Sequence, residues 1–156
     1  MGPELEKALQ DLSLRMRMIR AIQEDQPGHD ALTEREALIL QQLADQGAQS
    51  VSQISDSWPN VSDSTISMTI TKMWRKRGLV TKTINPDNQR VTMIELTDKG
   101  KAELQKVLKQ RTERLQALFK AMNVSPEEKQ MLINVCNRGV KFLDQMLGLE
   151  KVSDTK

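Results

Sequence analysis

A mainly α-helical chain with one small β-hairpin among its helices is what this sequence predicts, on three observations. Apolar residues recur at helical spacing through most of the chain, with runs such as Leu5, Leu9, Leu12, Met16, Ile19 and Ile22. Thr33, Ser50, Ser62, Thr97 and Ser125 each stand as an N-cap before such a segment. Only after Gly78 does the pattern change, to weak alternation over residues 79–84 and 91–96 with polar loop composition between them.

Taken in order, residues 4–24 form the first helix, and Pro27 and Gly28 end it. Thr33 and Glu36 make a capping box. The helix they start buries Ala37, Leu40, Leu43 and Ala44, with Leu38 or Ile39, and stops at Gly47. A short helix follows from Val51 to about Ser57, facing Val51 and Ile54 inward. Trp58, Pro59 and Asn60 form a turn. Ser62 caps the next helix, which runs to about Arg77 before the stop at Gly78. Asn85, Pro86, Asp87, Asn88 and Gln89 make the tip of the hairpin. Thr97 caps a long helix to about Met122, with Leu104, Leu108, Leu115, Leu118 and Phe119 on its apolar side. Ser125 and Glu128 make a second capping box with Pro126 at the first helical position. That last helix carries Met131, Leu132, Val135, Val140, Leu143 and Leu147 and stops at Gly148, leaving a frayed tail.

The order helix, helix, helix, helix, hairpin, helix, helix is a winged helix-turn-helix with long terminal helices. The expected divisions are 1–31 for an N-terminal dimerisation helix, 32–98 for the winged lobe, 99–148 for C-terminal dimerisation helices and 149–156 for a flexible tail. The apolar stripes at both ends have no obvious partner within one subunit. A second copy of the chain is the natural place to bury them.

With 156 residues the chain makes one ordinary domain, or a compact one with a helical extension. Its net charge is only +2, but the distribution is uneven. Residues 62–90 carry six basic side chains against two acidic ones, whereas residues 1–61 carry five against ten. A local excess governs attraction to phosphate, because charge is screened beyond about 8–10 Å at physiological salt. No apolar run reaches the ~18 residues of a membrane span. One cysteine and no signal-like N-terminus point to a reducing, cytoplasmic setting. Aromatic residues are scarce, so the nine methionines and the many Leu and Ile are expected to fill the core.

The helix after Ser62 carries the most chemistry. At about 100° per residue, Ile66, Ile70, Met73 and Trp74 share one face. Ser64, Thr65, Met68, Thr71, Lys72 and Arg75 share the opposite one. Hydroxyls, one flexible apolar group and two cations are what a major-groove reader uses: cations on guanine acceptors, hydroxyls on bases or phosphates, an apolar group on the thymine methyl. Ser62, at the helix start, lies where free N–H groups suit a phosphate. Lys82 precedes the hairpin tip, Asn88 lies in it and Arg90 closes it. An Arg at such a tip enters the minor groove, or else pairs with Asp87 and braces the loop.

The whole chain resembles the MarR family of dimeric winged-helix transcriptional regulators over about residues 5–147. The likeness rests on L-T-E-R-E-A-L-I-L-Q-Q-L-A at 32–44, S-T-I-S-M-T-I at 64–70, R-G-L-V at 77–80, N-P-D-N-Q-R at 85–90 and L-T-D-K-G at 96–100. The resemblance implies a homodimer with interlocked terminal helices, a recognition helix in the major groove, Arg90 in the minor groove and a palindromic double-stranded DNA operator. It also implies a small-molecule effector in a crevice beside the DNA-binding lobe, for which Met16, Ile19, Trp58 and Met68 are the candidates. Two departures stand out. Asn88 occupies the position where the family commonly has Asp, with Asp87 one earlier, and the turn at 58–60 is a residue longer than usual.

Other chemistry is thinly represented. His29 has no second His and no paired Cys, and a metal site needs three or four ligands. Cys136, between Leu132 and Val140, reads as a small core hydrophobe. No phosphate loop or nucleophile–base pair stands out, so neither enzyme activity nor a cofactor is expected. The expectation is a sequence-specific DNA-binding regulator, a repressor released by an effector. The rivals are a winged-helix protein-interaction module and a small-molecule-binding protein, neither of which binds DNA.

Overall fold

The computed structural model describes residues 2–24 and 31–148. The expected helix stop at Pro27 and Gly28, the surface place of His29 and the tail at 149–156 lie outside the described residues. The elements are α1 (Pro3–Glu24), α2 (Glu34–Gln46), β1 (Gln49–Ser50), α3 (Val51–Asp56), α4 (Asp63–Arg75), β2 (Val80–Ile84), β3 (Thr92–Leu96), α5 (Asp98–Ala121) and α6 (Pro126–Leu147). This is the expected mainly helical class with a hairpin wing. The chain divides into two compact units, one ending at Lys109 and one beginning at Gln110.

Local chemistry sets the element boundaries. At α2 the Glu36 N–H donates to Thr33 Oγ1 and the Thr33 N–H donates to Glu36 Oε2, so two donors at the helix start are satisfied reciprocally. Ser50 with Gln53 and Ser125 with Glu128 close the same box at α3 and α6. Thr97 Oγ1 accepts from the Gly100 N–H and donates to the Gly78 carbonyl at 2.6 Å, tying the start of α5 to the turn after α4.

The sheet is antiparallel with order β1-β3-β2. Val80 pairs with Leu96 and Ile84 with Thr92, which fixes the hairpin register. The two-residue β1 was not expected from the sequence. Gln49 opposite Ile94 and Ser50 opposite Met93 add a short edge, too short to leave a period-two pattern.

The first unit holds the core. Ala37, Ile39, Leu40 and Leu43 of α2 pack with Ile54, with Ile66, Ile70 and Met73 of α4, and with Leu79, Val80, Ile94 and Leu104. Ile39, not Leu38, is the buried member of its pair, and Ala44 is exposed although its neighbour Leu43 is buried. Of the described methionines only Met73 is buried, so the core is filled by Leu and Ile rather than by Met. Gly100 is required by close approach: a Cβ there would meet the Leu79 carbonyl oxygen at 2.0 Å. The L-T-D-K-G run is therefore a docking device, with its Thr on one turn carbonyl and its Gly against another.

In α5 Leu104 is buried, Leu118 and Phe119 are half-buried, and Leu108 and Leu115 remain exposed. Helix α6 buries none of its residues, and Cys136 is exposed rather than part of a core. All six apolar residues of the α1 stripe are exposed as well.

Candidate nucleic-acid interface

Helix α4 begins where its cap residue indicated. Ser62 Oγ accepts from the Thr65 N–H, and the hydroxyls of Ser64 and Thr65 lie 3.2 and 2.7 Å from it. Three hydroxyls thus cluster at the helix N-terminus. Ahead of this start the Trp58 N–H reaches the Ser55 carbonyl and the Val61 N–H reaches the Trp58 carbonyl, closing the turn at 58–60. The one carboxylate of α4, Asp63, accepts a hydrogen bond from the Ser55 hydroxyl and is thereby held against α3.

Ile66, Ile70 and Met73 face the core and Trp74 is half-buried against it, as expected. On the opposite side Met68 is 72% exposed, Ser64, Lys72 and Arg75 are exposed, and Thr65 and Thr71 are half-buried. Ser67 and Lys76 line the same open surface as Met68, Thr71, Lys72 and Arg75. Neither was singled out from the sequence. Ser67 sits at the edge of the polar face, and Lys76 caps α4 where the helix was expected to continue to Arg77. Gly78 at φ +62° turns the chain so that the Leu79 N–H reaches the Met73 carbonyl.

The charge count of this region changes on folding. Arg77 is largely buried and its guanidinium lies 2.8 Å from Glu36 Oε2. Lys72 Nζ is 4.0 Å from the other oxygen of the same carboxylate. Arg77 is committed to the interior, and part of the basic surplus counted along the sequence never faces solvent.

The wing is built from two consecutive turns, each opened by an asparagine. Asn85 Oδ1 accepts from the Asp87 N–H and Asn88 Oδ1 from the Arg90 N–H. The Asn88 N–H returns to the Asn85 carbonyl, and the Val91 N–H to the Asn88 carbonyl. These are side-chain-assisted turns of the kind Asn favours. Asn88 thus positions the backbone of Arg90, and among the described residues no ion pair joins Asp87 to Arg90. The guanidinium of Arg90 is exposed at the tip. Lys82 of β2 is half-buried, with Nζ 4.5 Å from the centroid of the Trp74 ring, and Arg75 Cζ lies 5.0 Å from that centroid.

The four effector candidates are not gathered in the same way. Met68 belongs to the outer face of α4, whereas Trp58 packs against the core with its Nε1 buried and, among the described residues, without an acceptor. Met16 and Ile19 are exposed on α1.

Residues 32–100 match the family model of the winged helix DNA-binding domain. The solved structure of MarR superposes with a TM-score of 0.67 at 21% identity, covering 89% of this chain and 97% of that one. The chain has the MarR fold, and its residues 32–100 are similar to the winged helix DNA-binding domain. Another structure of this fold, that of FabT from Streptococcus pneumoniae in complex with DNA, superposes with the same TM-score at 17% identity, covering 92% of this chain and 97% of that one. A curated relative, the HTH-type transcriptional regulator YdgJ of Bacillus subtilis (strain 168), is 30% identical over 67 residues. That match spans 43% of this chain and 40% of YdgJ. The winged helix match begins at Leu32, just before the Thr33 cap, and ends at Gly100, where α5 docks on Leu79.

Proposed function

We propose that this chain is a sequence-specific transcriptional regulator that binds double-stranded DNA as a homodimer, with α4 in the major groove and Arg90 in the minor groove. One observation carries the reading. The outer face of α4 offers Ser64, Met68, Thr71, Lys72 and Arg75 with no free carboxylate among them, beside a wing whose Arg is exposed and unpaired among the described residues. The complex of FabT with DNA supports the same use of the fold.

In this reading residues 32–98 bind DNA, and residues 1–31 and 99–148 hold the second copy. The exposed apolar side chains of α1 and α6 support the dimer, since a single copy leaves them in water. Two α4 helices would meet half-sites about 34–36 Å apart on a palindromic operator. Bound across a promoter, the dimer blocks polymerase. A small-molecule effector that changes the spacing of the two helices releases it. For that effector the buried Nε1 of Trp58, without an acceptor among the described residues, offers a hydrogen-bond donor, with Met16 and Ile19 as candidate apolar lining. No residue is assigned a catalytic role, and the site of action is the cytoplasm.

Selection of bound duplexes from a random DNA pool at physiological salt tests this reading. Enrichment of a palindromic consensus is expected. A protein that retains no duplex even at low salt would instead be an interaction module or a ligand-binding protein built on the same fold.

A further inference from the structure

We infer that Trp74 is a positioning residue whose ring holds Arg75 of α4 and Lys82 of β2, so that recognition helix and wing present two fully charged cations as one unit to the DNA backbone. The inference rests on the DNA-binding reading above and adds the device that joins its two elements.

Both cations lie within 5.0 Å of one ring centroid, although they come from different elements. Lys82 shares a face of β2 with buried Val80 and pairs across the sheet with buried Ile94, so its alkyl stem starts against the core and its ammonium ends over the indole. Trp74 is itself fixed by packing against the core cluster. Nearby basic residues are held differently. Arg77 and Lys72 both face the Glu36 carboxylate, which orders them but offsets their charge. An aromatic face also orders a cation, through its quadrupole, yet leaves the full positive charge available to a phosphate. Among the described residues neither Arg75 nor Lys82 has a carboxylate partner. Arg77 thus braces the fold against a buried carboxylate, whereas Arg75 and Lys82 rest on an aromatic face.

The test has one arm without DNA and one with it. In the free protein, ring-current shielding should move the Lys82 side-chain methylene signals upfield in NMR spectra, and Trp74→Leu should abolish that shift while Trp74→Phe retains part of it. Binding to a random duplex is then measured across a salt series for wild type, Trp74→Leu, Lys82→Gln and the double variant. Lys82→Gln should weaken binding and reduce the slope of log affinity against log salt by about 0.9 per contact. Trp74→Leu should weaken binding about two- to fivefold for each cation released. The two substitutions should be less than additive, because without the ring Lys82 is no longer held in place. Phe at position 74 should restore part of the affinity. Strict additivity, or unshifted Lys82 signals in the wild type, would overturn the inference, and the second observation does not depend on any variant folding. A wild type that shows the shielding but binds no duplex would overturn it too, with the fault placed in the DNA reading rather than in the hold of the ring.

Discussion

The Glu36 carboxylate of α2 and the Arg77 guanidinium beyond α4 are joined across 41 residues at 2.8 Å. Glu36 is 2% exposed, and the oxygen that meets Arg77 also accepts the Thr33 N–H at the start of α2. One side chain therefore caps one helix and anchors the chain leaving the next. A buried carboxylate that loses its close partner is costly, because solvent does not reach it and Lys72, at 4.0 Å from its other oxygen, offsets the loss only in part.

Arg77→Met should accordingly destabilise the fold by about 3–5 kcal/mol, as should Glu36→Ala, which also loses the cap. Urea unfolding followed by circular dichroism measures both. For the fraction still folded, Arg77→Met should leave the salt slope of DNA binding unchanged, since Arg77 is turned inward. A reduced slope would show that Arg77 does reach phosphate.

Gly100→Ala should destabilise by roughly 1–3 kcal/mol, the range for overpacking. The atom opposing the new methyl is backbone, the Leu79 carbonyl, and cannot swing aside. Thermal unfolding checks this. A variant as stable as the parent would mean that α5 shifts away from the β2 end of the wing at little cost.

The wing separates three roles. Arg90→Ala should weaken duplex binding and reduce the salt slope by about 0.9 per wing. Its loss should fall on A·T-rich flanks, where a narrow minor groove concentrates negative potential. Asn88→Ala removes the acceptor for the Arg90 N–H and should weaken binding with the slope kept, because the cation remains while its position is lost. Asp87→Ala should be nearly silent in both respects. Equal losses for Asp87→Ala and Arg90→Ala would instead favour an ion pair that braces the loop.

The paired change Leu132→Glu and Leu143→Glu on α6 tests the dimer. Both residues are about half exposed in a single copy. Sedimentation at micromolar concentration should show a dimer for the wild type and a folded monomer for the variant, with DNA retention falling alongside. A wild type that sediments as a folded monomer would remove the proposed interface.

Much of this architecture could be read along the chain because its signals are local. The capping boxes at Thr33 and Ser125, the cap at Ser62, the stop at Gly78 and the apolar periodicity of α4 each depend on residues within a turn or two of one another. Local hydrogen bonds and rotational spacing leave a pattern that sequence retains. The winged helix-turn-helix and the polar face carrying Ser64, Met68, Thr71, Lys72 and Arg75 followed from such signals.

What tertiary structure alone decided is which neighbour each side chain meets. Residue type and spacing are the same for a cation that faces solvent and one that faces a carboxylate 41 residues away, so Arg77 counted as surface charge until Glu36 was seen beside it. Lys82 reads along the chain only as a cation preceding the hairpin tip, and its place over the Trp74 ring is a contact between two elements. The β1 edge, the exposure of Ala44 and the burial of Met73 alone among the described methionines share that cause. They depend on where the core ends in space, and periodicity within one element carries no information about that boundary. Gly100 belongs with them, because its need for a missing side chain exists only once α5 is laid against the Leu79 backbone.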